Sequence, residues 1–207
     1  MNHKVCLLVG LGNPGPQYAG TRHNAGQDLV EELASRHGVT LTAESKFHGL
    51  TGRVLLGRCD LRLLIPTTFM NRSGQAVASV VNFYKLQPEE VLVVHDELDL
   101  PPGVARFKHG GGHGGHNGLR DIVSALGNNR DFSRLRIGIG HPGNSGEVTS
   151  FVLKVAPATE QDQITHGIDE ALRVLPQAVA GEWPRATEAL HRATPAIGSE
   201  PKPEQAD

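Results

Sequence analysis

VCLLVG, residues Val5 to Gly10, is an unbroken apolar run that stops on glycine. A strand with one wet face alternates apolar and polar residues. A run without alternation describes a strand covered on both faces, as in a parallel sheet with helices above and below it. VLVV, Val91 to Val94, repeats the pattern and closes on His95 and Asp96. Around these two strands the period changes back and forth. Leu29, Val30, Leu33 and Ala34 keep helical spacing over about 13 residues, which Asn24 can cap and Gly38 stops. Gly49 to Leu56 and Leu61 to Ile65 read as strands joined by the turn GRCD, and Gly74 to Tyr84 as a second helix. Val104 to Lys108 reads as a strand, Leu119 to Leu126 as a third helix and Leu135 to Ile139 as a further strand. Ile164, Ile168, Ala171, Leu172 and Leu175 share one face of a fourth helix, and Trp183, Ala186 and Leu190 mark a fifth. Strands alternating with helices predict an α/β domain with a mostly parallel or mixed sheet.

The chain has 207 residues, 38% of them apolar and 20% charged, which suits one domain with its own core. That domain is expected to span residues 1–193. The stretch 194–207, with three prolines and no period, is expected to be a disordered tail. The two cysteines, Cys6 and Cys59, form no CxxC pair, and reduced thiols in a cytoplasmic protein are the expectation. The opening MNHKVCLLVGLG is too short in its apolar part to span a membrane. Net charge is only −2, which argues against a general polyanion binder. The charge is nevertheless uneven. Pro101 to Gly140 holds Arg106, Lys108, Arg120, Arg130, Arg134 and Arg136 against Asp121 and Asp131, so a basic face can form on a near-neutral protein.

HGGGHGGHNG, His109 to Gly118, lies inside that basic segment. Glycine lacks the Cβ barrier, so the run suits a metal cage, a phosphate cradle or a mobile loop closing on a polar substrate. His109, His113, His116, His95, Asp96, Glu97 and Asp99 could supply metal ligands, but the spacing of the three histidines in the run needs a helix that six glycines would not sustain, and no HExxH or cysteine ligand is present. GxxxxGK[ST] is absent too. GLGNPG, residues 10 to 15, spells the dinucleotide fingerprint, but Pro14 and Pro16 keep a helix from starting at its third glycine and no carboxylate follows near Ser35 to Gly38. His23 and Asp96 both sit beyond the carboxyl ends of buried strands, where open α/β sheets bind ligands. A histidine oriented by a carboxylate is the minimal apparatus of general-base catalysis. No GxSxG elbow supplies a nucleophile, so activated water is favoured. Phe69 and Met70 by composition suit a core or a helix staple, and Asn71 a helix cap. His113 and His116 read as structural loop residues.

In order, GLGNPGPQYAGTRHNAG, PTTFMNRSG, HDELDLPPG, FKHGGGHGGHNGLRDI and RLRIGIGHP resemble the motifs of the bacterial peptidyl-tRNA hydrolases, in register from Val5 to Leu153. His109 stands where an apolar residue is expected before the triple glycine. The resemblance implies a single three-layer α/β/α domain with a mixed, mostly parallel twisted sheet. It implies a monomeric enzyme, without metal or cofactor, that cleaves the ester between a peptide and tRNA, with encounters at the large ribosomal subunit. Carried over by motif, His23 is the base, Asp96 its partner, and Asn13 distinguishes a peptide from a free amine. Tyr18, Phe69, Asn71 and Asn117 line the site for the tRNA 3′ end and the peptide backbone, and Lys108 with Arg136 clamps phosphate. These residue types suit the task. Side-chain amides donate and accept, so they can hold a peptide main chain or an oxyanion. Aromatic rings stack on bases, and a basic stretch binds RNA in a salt-dependent way. A non-catalytic RNA-binding module using the same face is the alternative.

Overall fold

The computed structural model describes residues 3–194. In chain order the elements are β1 (Leu7–Gly10), α1 (Ala25–Arg36), β2 (Thr42–Glu44), β3 (Gly49–Leu56), β4 (Cys59–Pro66), α2 (Ser73–Tyr84) and β5 (Val91–Glu97). They continue with β6 (Ala105–His109), α3 (Asn117–Ala125), β7 (Ser133–Gly138), α4 (Val148–Val152), α5 (Ala158–Val179) and α6 (Trp183–Ala193). One seven-stranded sheet runs β2-β3-β4-β1-β5-β7-β6. Its four central strands are parallel, and both edges are antiparallel, through β3 on β4 and β6 on β7.

The unbroken apolar runs occupy the centre. Leu8, Leu92 and Val94 face α1 and α5, packing with Leu29, Val30, Leu33, Ile168 and Leu175. Leu7, Val9, Val91 and Val93 face α2 and α3, packing with Val77, Val80, Leu119 and Ile122. Each such side chain stabilises the fold by about 1.5–3 kcal/mol when fully buried, and strands buried on both faces collect that gain twice. The result is the three-layer α/β/α sandwich. The loop leaving β1 leads to α1 on one face, whereas the chain leaving β5 first forms the edge strand β6 and only then α3 on the other face, and the crevice lies at the carboxyl edge of β1 and β5.

Gly10, opening the GLGNPG loop, and Gly26, in α1, serve packing. A Cβ on Gly10 would lie 2.5 Å from the Gly26 carbonyl oxygen, and one on Gly26 would lie 2.2 Å from that of Val94. Helix α1 can therefore press directly onto β1 and β5, which brings its leading turn to the crevice. That helix starts at Ala25, and Asn24 makes no capping bond with its side chain, contrary to the sequence reading. The amide is engaged by Asn13 instead. Asn71 is likewise not a helix cap: it lies inside a single 3-10 turn, Met70–Arg72, ahead of α2.

β3 has the expected bounds, Gly49–Leu56, and the other stated strand and helix bounds differ from the sequence expectations by at most three residues; those expectations omitted β2 and α4. The turn between β3 and β4 is shorter than GRCD, because Cys59 already pairs with Leu56. The expected tail lies outside the described residues except for Thr194. That residue is buried, and its hydroxyl contacts the Ala105 main chain and the Arg106 guanidinium.

Candidate active site

A cavity of about 960 Å³ opens at the carboxyl edge of the sheet. Asn13, His23, Phe69, Asn71, Asp96, Lys108, Asn117 and Arg136 all line it, so residues from five separate motifs converge. Tyr18 stands behind them, its ring edge-on to Phe69 with centroids 6.4 Å apart.

Three side chains meet at the cavity floor. His23 Nδ1 lies 2.9 and 3.0 Å from the two Asp96 carboxylate oxygens. His116 Nε2 lies 2.9 Å from Asp96 Oδ1. The His116 Nδ1 accepts the Leu119 backbone N–H at 3.4 Å, which assigns the proton to Nε2 and makes that ring a donor to the carboxylate. His23, donating from Nδ1, keeps a lone pair on Nε2 with no protein partner among the described residues, in a side chain that lines the cavity. Asp96 is only 4% exposed. Burial alone would raise its pKa, but the two imidazoles outweigh that and hold it far below the ordinary carboxylate range. The same pairing acts on His23. Desolvation pulls its pKa down, the Asp96 charge and hydrogen bond push it up further, and the net shift is above 6.5. These two shifts describe one interaction and count once.

His116 departs from the structural loop role that the sequence predicts and forms the second imidazole contact on Asp96. Sequence held one usable signal, its place directly before α3 at the same edge as His23. His113 does remain local, with its Nδ1 accepting the Gly115 N–H. His109 ends β6, where Nδ1 meets the Ser133 hydroxyl at 3.2 Å. His23, Asp96 and His116 also form a set that could hold a metal ion; Asp96 and His116 are among the candidate ligands named from sequence, and His23 is not. Their polar atoms stand at hydrogen-bond spacing around Asp96 Oδ1. Metal bonds of about 2.0–2.1 Å from two imidazoles and a carboxylate would force that arrangement apart. The geometry suits shared protons better than a cation.

His95 precedes Asp96, lines the same cavity and packs its ring edge-on against His116, with centroids 5.0 Å apart. The His95 Nδ1 donates to the Asp96 main-chain oxygen at 2.7 Å, and its Nε2 is buried without a partner. Burial, with His116 nearby, pushes it down to about 3, so it stays neutral.

Asn13 is held from both sides. Its backbone N–H donates to Asn24 Oδ1 at 2.9 Å, and its carbonyl accepts from Asn24 Nδ2 at 3.0 Å. Its side-chain Oδ1 accepts the Met70 N–H at 2.8 Å, which leaves Nδ2 as a donor in a residue lining the cavity. On the far wall Arg136 lies 3.7 Å from Glu97, and Lys108 is exposed on the neighbouring strand.

A buried carboxylate aligning a histidine beside fixed amide donors, at the carboxyl edge of an α/β/α sandwich, is an arrangement able to support hydrolysis by a general base. The sequence profile of the peptidyl-tRNA hydrolases matches residues 7–197, and the chain belongs to that family. It is 59% identical over 191 residues to the peptidyl-tRNA hydrolase of Vibrio vulnificus strain YJ016, covering 92% of this chain and 97% of that one. It is 61% identical to that of Teredinibacter turnerae over 193 residues, covering 93% and 100%. The crystal structure of peptidyl-tRNA hydrolase from Acinetobacter baumannii superimposes with a TM-score of 0.89 at 50% identity, over 95% of this chain and all of that one. No described helix is long and apolar enough to cross a membrane.

Proposed function

We propose that this protein hydrolyses the ester between a peptide's terminal carboxyl and the 3′ ribose of tRNA, freeing both. The observation that carries the reading is the His23 to Asp96 contact at 2.9 Å on the floor of the cavity. His23 Nε2 takes a proton from water as the water oxygen attacks the ester carbonyl. The resulting imidazolium is stabilised by Asp96 and returns the proton to the departing ribose oxygen. Asn13 Nδ2 and the Asn117 amide supply donors for the oxyanion and the peptide main chain, and they tolerate any peptide sequence because they read only backbone. Phe69, backed by Tyr18, offers a face for a terminal base, with Asn71 beside it. Lys108 and Arg136 meet phosphate further along the acceptor stem.

All these residues come from one chain, which suits a monomer, and the substrate places the work in the cytoplasm, beside the large ribosomal subunit that releases it. The alternative, a tRNA-binding module, would use the same basic wall but has no task for an aligned His–Asp pair. Incubating peptidyl-tRNA in ¹⁸O water separates the two. Hydrolysis puts one ¹⁸O in the peptide carboxyl and leaves tRNA with a free 3′ hydroxyl. Recovery of intact peptidyl-tRNA, bound but uncut, would overturn the proposal.

A further inference from the structure

The glycine strap between β6 and α3 is the part of the cavity wall with least structure of its own. Gly110, Gly111, Gly114 and Gly115 all have positive φ, and the strap contributes neither helix nor strand. It nevertheless delivers two groups to the site, the His116 imidazole on Asp96 and the Asn117 amide. One buried side chain on the sheet beneath holds it. Arg134, on β7, is 2% exposed. Its two terminal nitrogens donate to successive strap carbonyls, Gly112 O and, at 2.7 Å, Gly111 O. The guanidinium carbon lies 4.9 Å from the centroid of the Phe132 ring. Its Nε is buried without a partner, and no carboxylate lies within ion-pair distance of it among the described residues.

A buried cation without a counterion is costly, and this one is satisfied chiefly by the strap carbonyls. Only a planar fork can donate in parallel to two adjacent carbonyl oxygens. Turning both carbonyls toward the sheet takes the left-handed backbone at Gly111, φ +89°, which a side chain would resist. The glycine run and the arginine 22 residues away are thus two halves of one device. We infer that Arg134 is a positioning residue for the ester-cleaving site: its fork fixes the strap so that His116 meets Asp96 and Asn117 enters the cavity. It does this on the strand that also carries Arg136, so the phosphate wall and the reacting groups share one rigid support. The inference rests on the proposed His23 chemistry.

The test compares Arg134→Lys and Arg134→Met with the parent protein on peptidyl-tRNA. Lysine keeps the charge and loses the fork; methionine fills the space without burying a charge, which guards against a lysine variant that fails to fold. Loss of a charge-assisted hydrogen bond lowers kcat about tenfold or more, with KM within about twofold and the salt dependence of binding unchanged. Amide hydrogen exchange across residues 110–116 accelerates by a similar factor, and this readout does not depend on the chemistry. Unchanged kcat with a lowered Tm would make Arg134 merely structural. A raised KM with a shallower salt slope would make it a phosphate ligand. Either result overturns the inference. His23→Ala measured alongside keeps the two failures apart, because active His23→Ala enzyme with accelerated exchange in the Arg134 variants sinks the base and leaves the strap.

Discussion

Replacing Asp96 by asparagine probes the site at its most constrained point. Asp96 Oδ1 receives the His116 proton, and both oxygens lie within 3.0 Å of His23 Nδ1. Asparagine can keep an oxygen at the shared position, which preserves both 2.9 Å contacts there, but its NH₂ then occupies the place of Oδ2. An N–H would face the His23 N–H at about the 3.0 Å now spanned by an N–H···O bond. The ring escapes by moving its proton to Nε2, and the lone pair that should accept from water is lost. The imidazolium formed during reaction also loses its counter-charge. A base of this kind contributes about 10²–10⁴ in rate, so kcat falls about 10³-fold, equal to about 4 kcal/mol of barrier, while KM changes little. The pH profile carries a second signature. His23 must be neutral to act, so kcat/KM of the parent falls as pH drops through a pKa raised above 6.5 by Asp96. Without that carboxylate, desolvation dominates and the acid limb moves to lower pH. Initial rates of peptide release between pH 5 and 9 read both effects. A loss under about threefold, or an unmoved acid limb, would refute the reasoning.

Lys108→Ala and Arg136→Ala each weaken peptidyl-tRNA binding and reduce the slope of log K against log salt by about one. Turnover of a minimal ester without the tRNA body stays within about twofold, and equal losses on both substrates would remove the phosphate role. Asp28, on α1, is pushed up to about 7 by burial and by Glu31. A folded pKa above the unfolded 3.8 means that ionisation penalises the fold progressively from pH 4 to 7, and fully above that. Asp28→Asn therefore stabilises by about 2 kcal/mol at pH 8, after discounting for partial solvent access, and by little at pH 4. Denaturant melts at the two pH values check it, and a pH-independent gain would contradict the cause.

The parts of the fold legible in sequence are those fixed by short-range pattern. Val5 to Val9 and Val91 to Val94 announce strands buried on both faces, because only helices on two sides make alternation unnecessary. The edge strand β2, three residues with exposed Thr42 and Ala43, and the five-residue α4 are too short to show any period. His23 and Asp96 were readable because strand ends point ligands to one edge. His116 carried only the weak signal of its place directly before α3, since its contact with Asp96 depends on the path of an irregular glycine strap. Asn24 shows how local propensity loses to a distant partner. An asparagine before a helix is a sound cap, but Asn13 offers it both a donor and an acceptor, and two bonds outweigh one. Tyr18 was placed in the cavity by motif, and it stands one layer back, on Phe69.

The central claim is that His23 Nε2 activates the water that cleaves the ester. Single-turnover cleavage of peptidyl-tRNA by His23→Ala, with binding measured separately by titration, tests it most directly. The account predicts a loss of at least about 10²-fold in the cleavage rate with affinity retained within a few-fold. Cleavage at a near-parental rate by fully bound His23→Ala enzyme would contradict it.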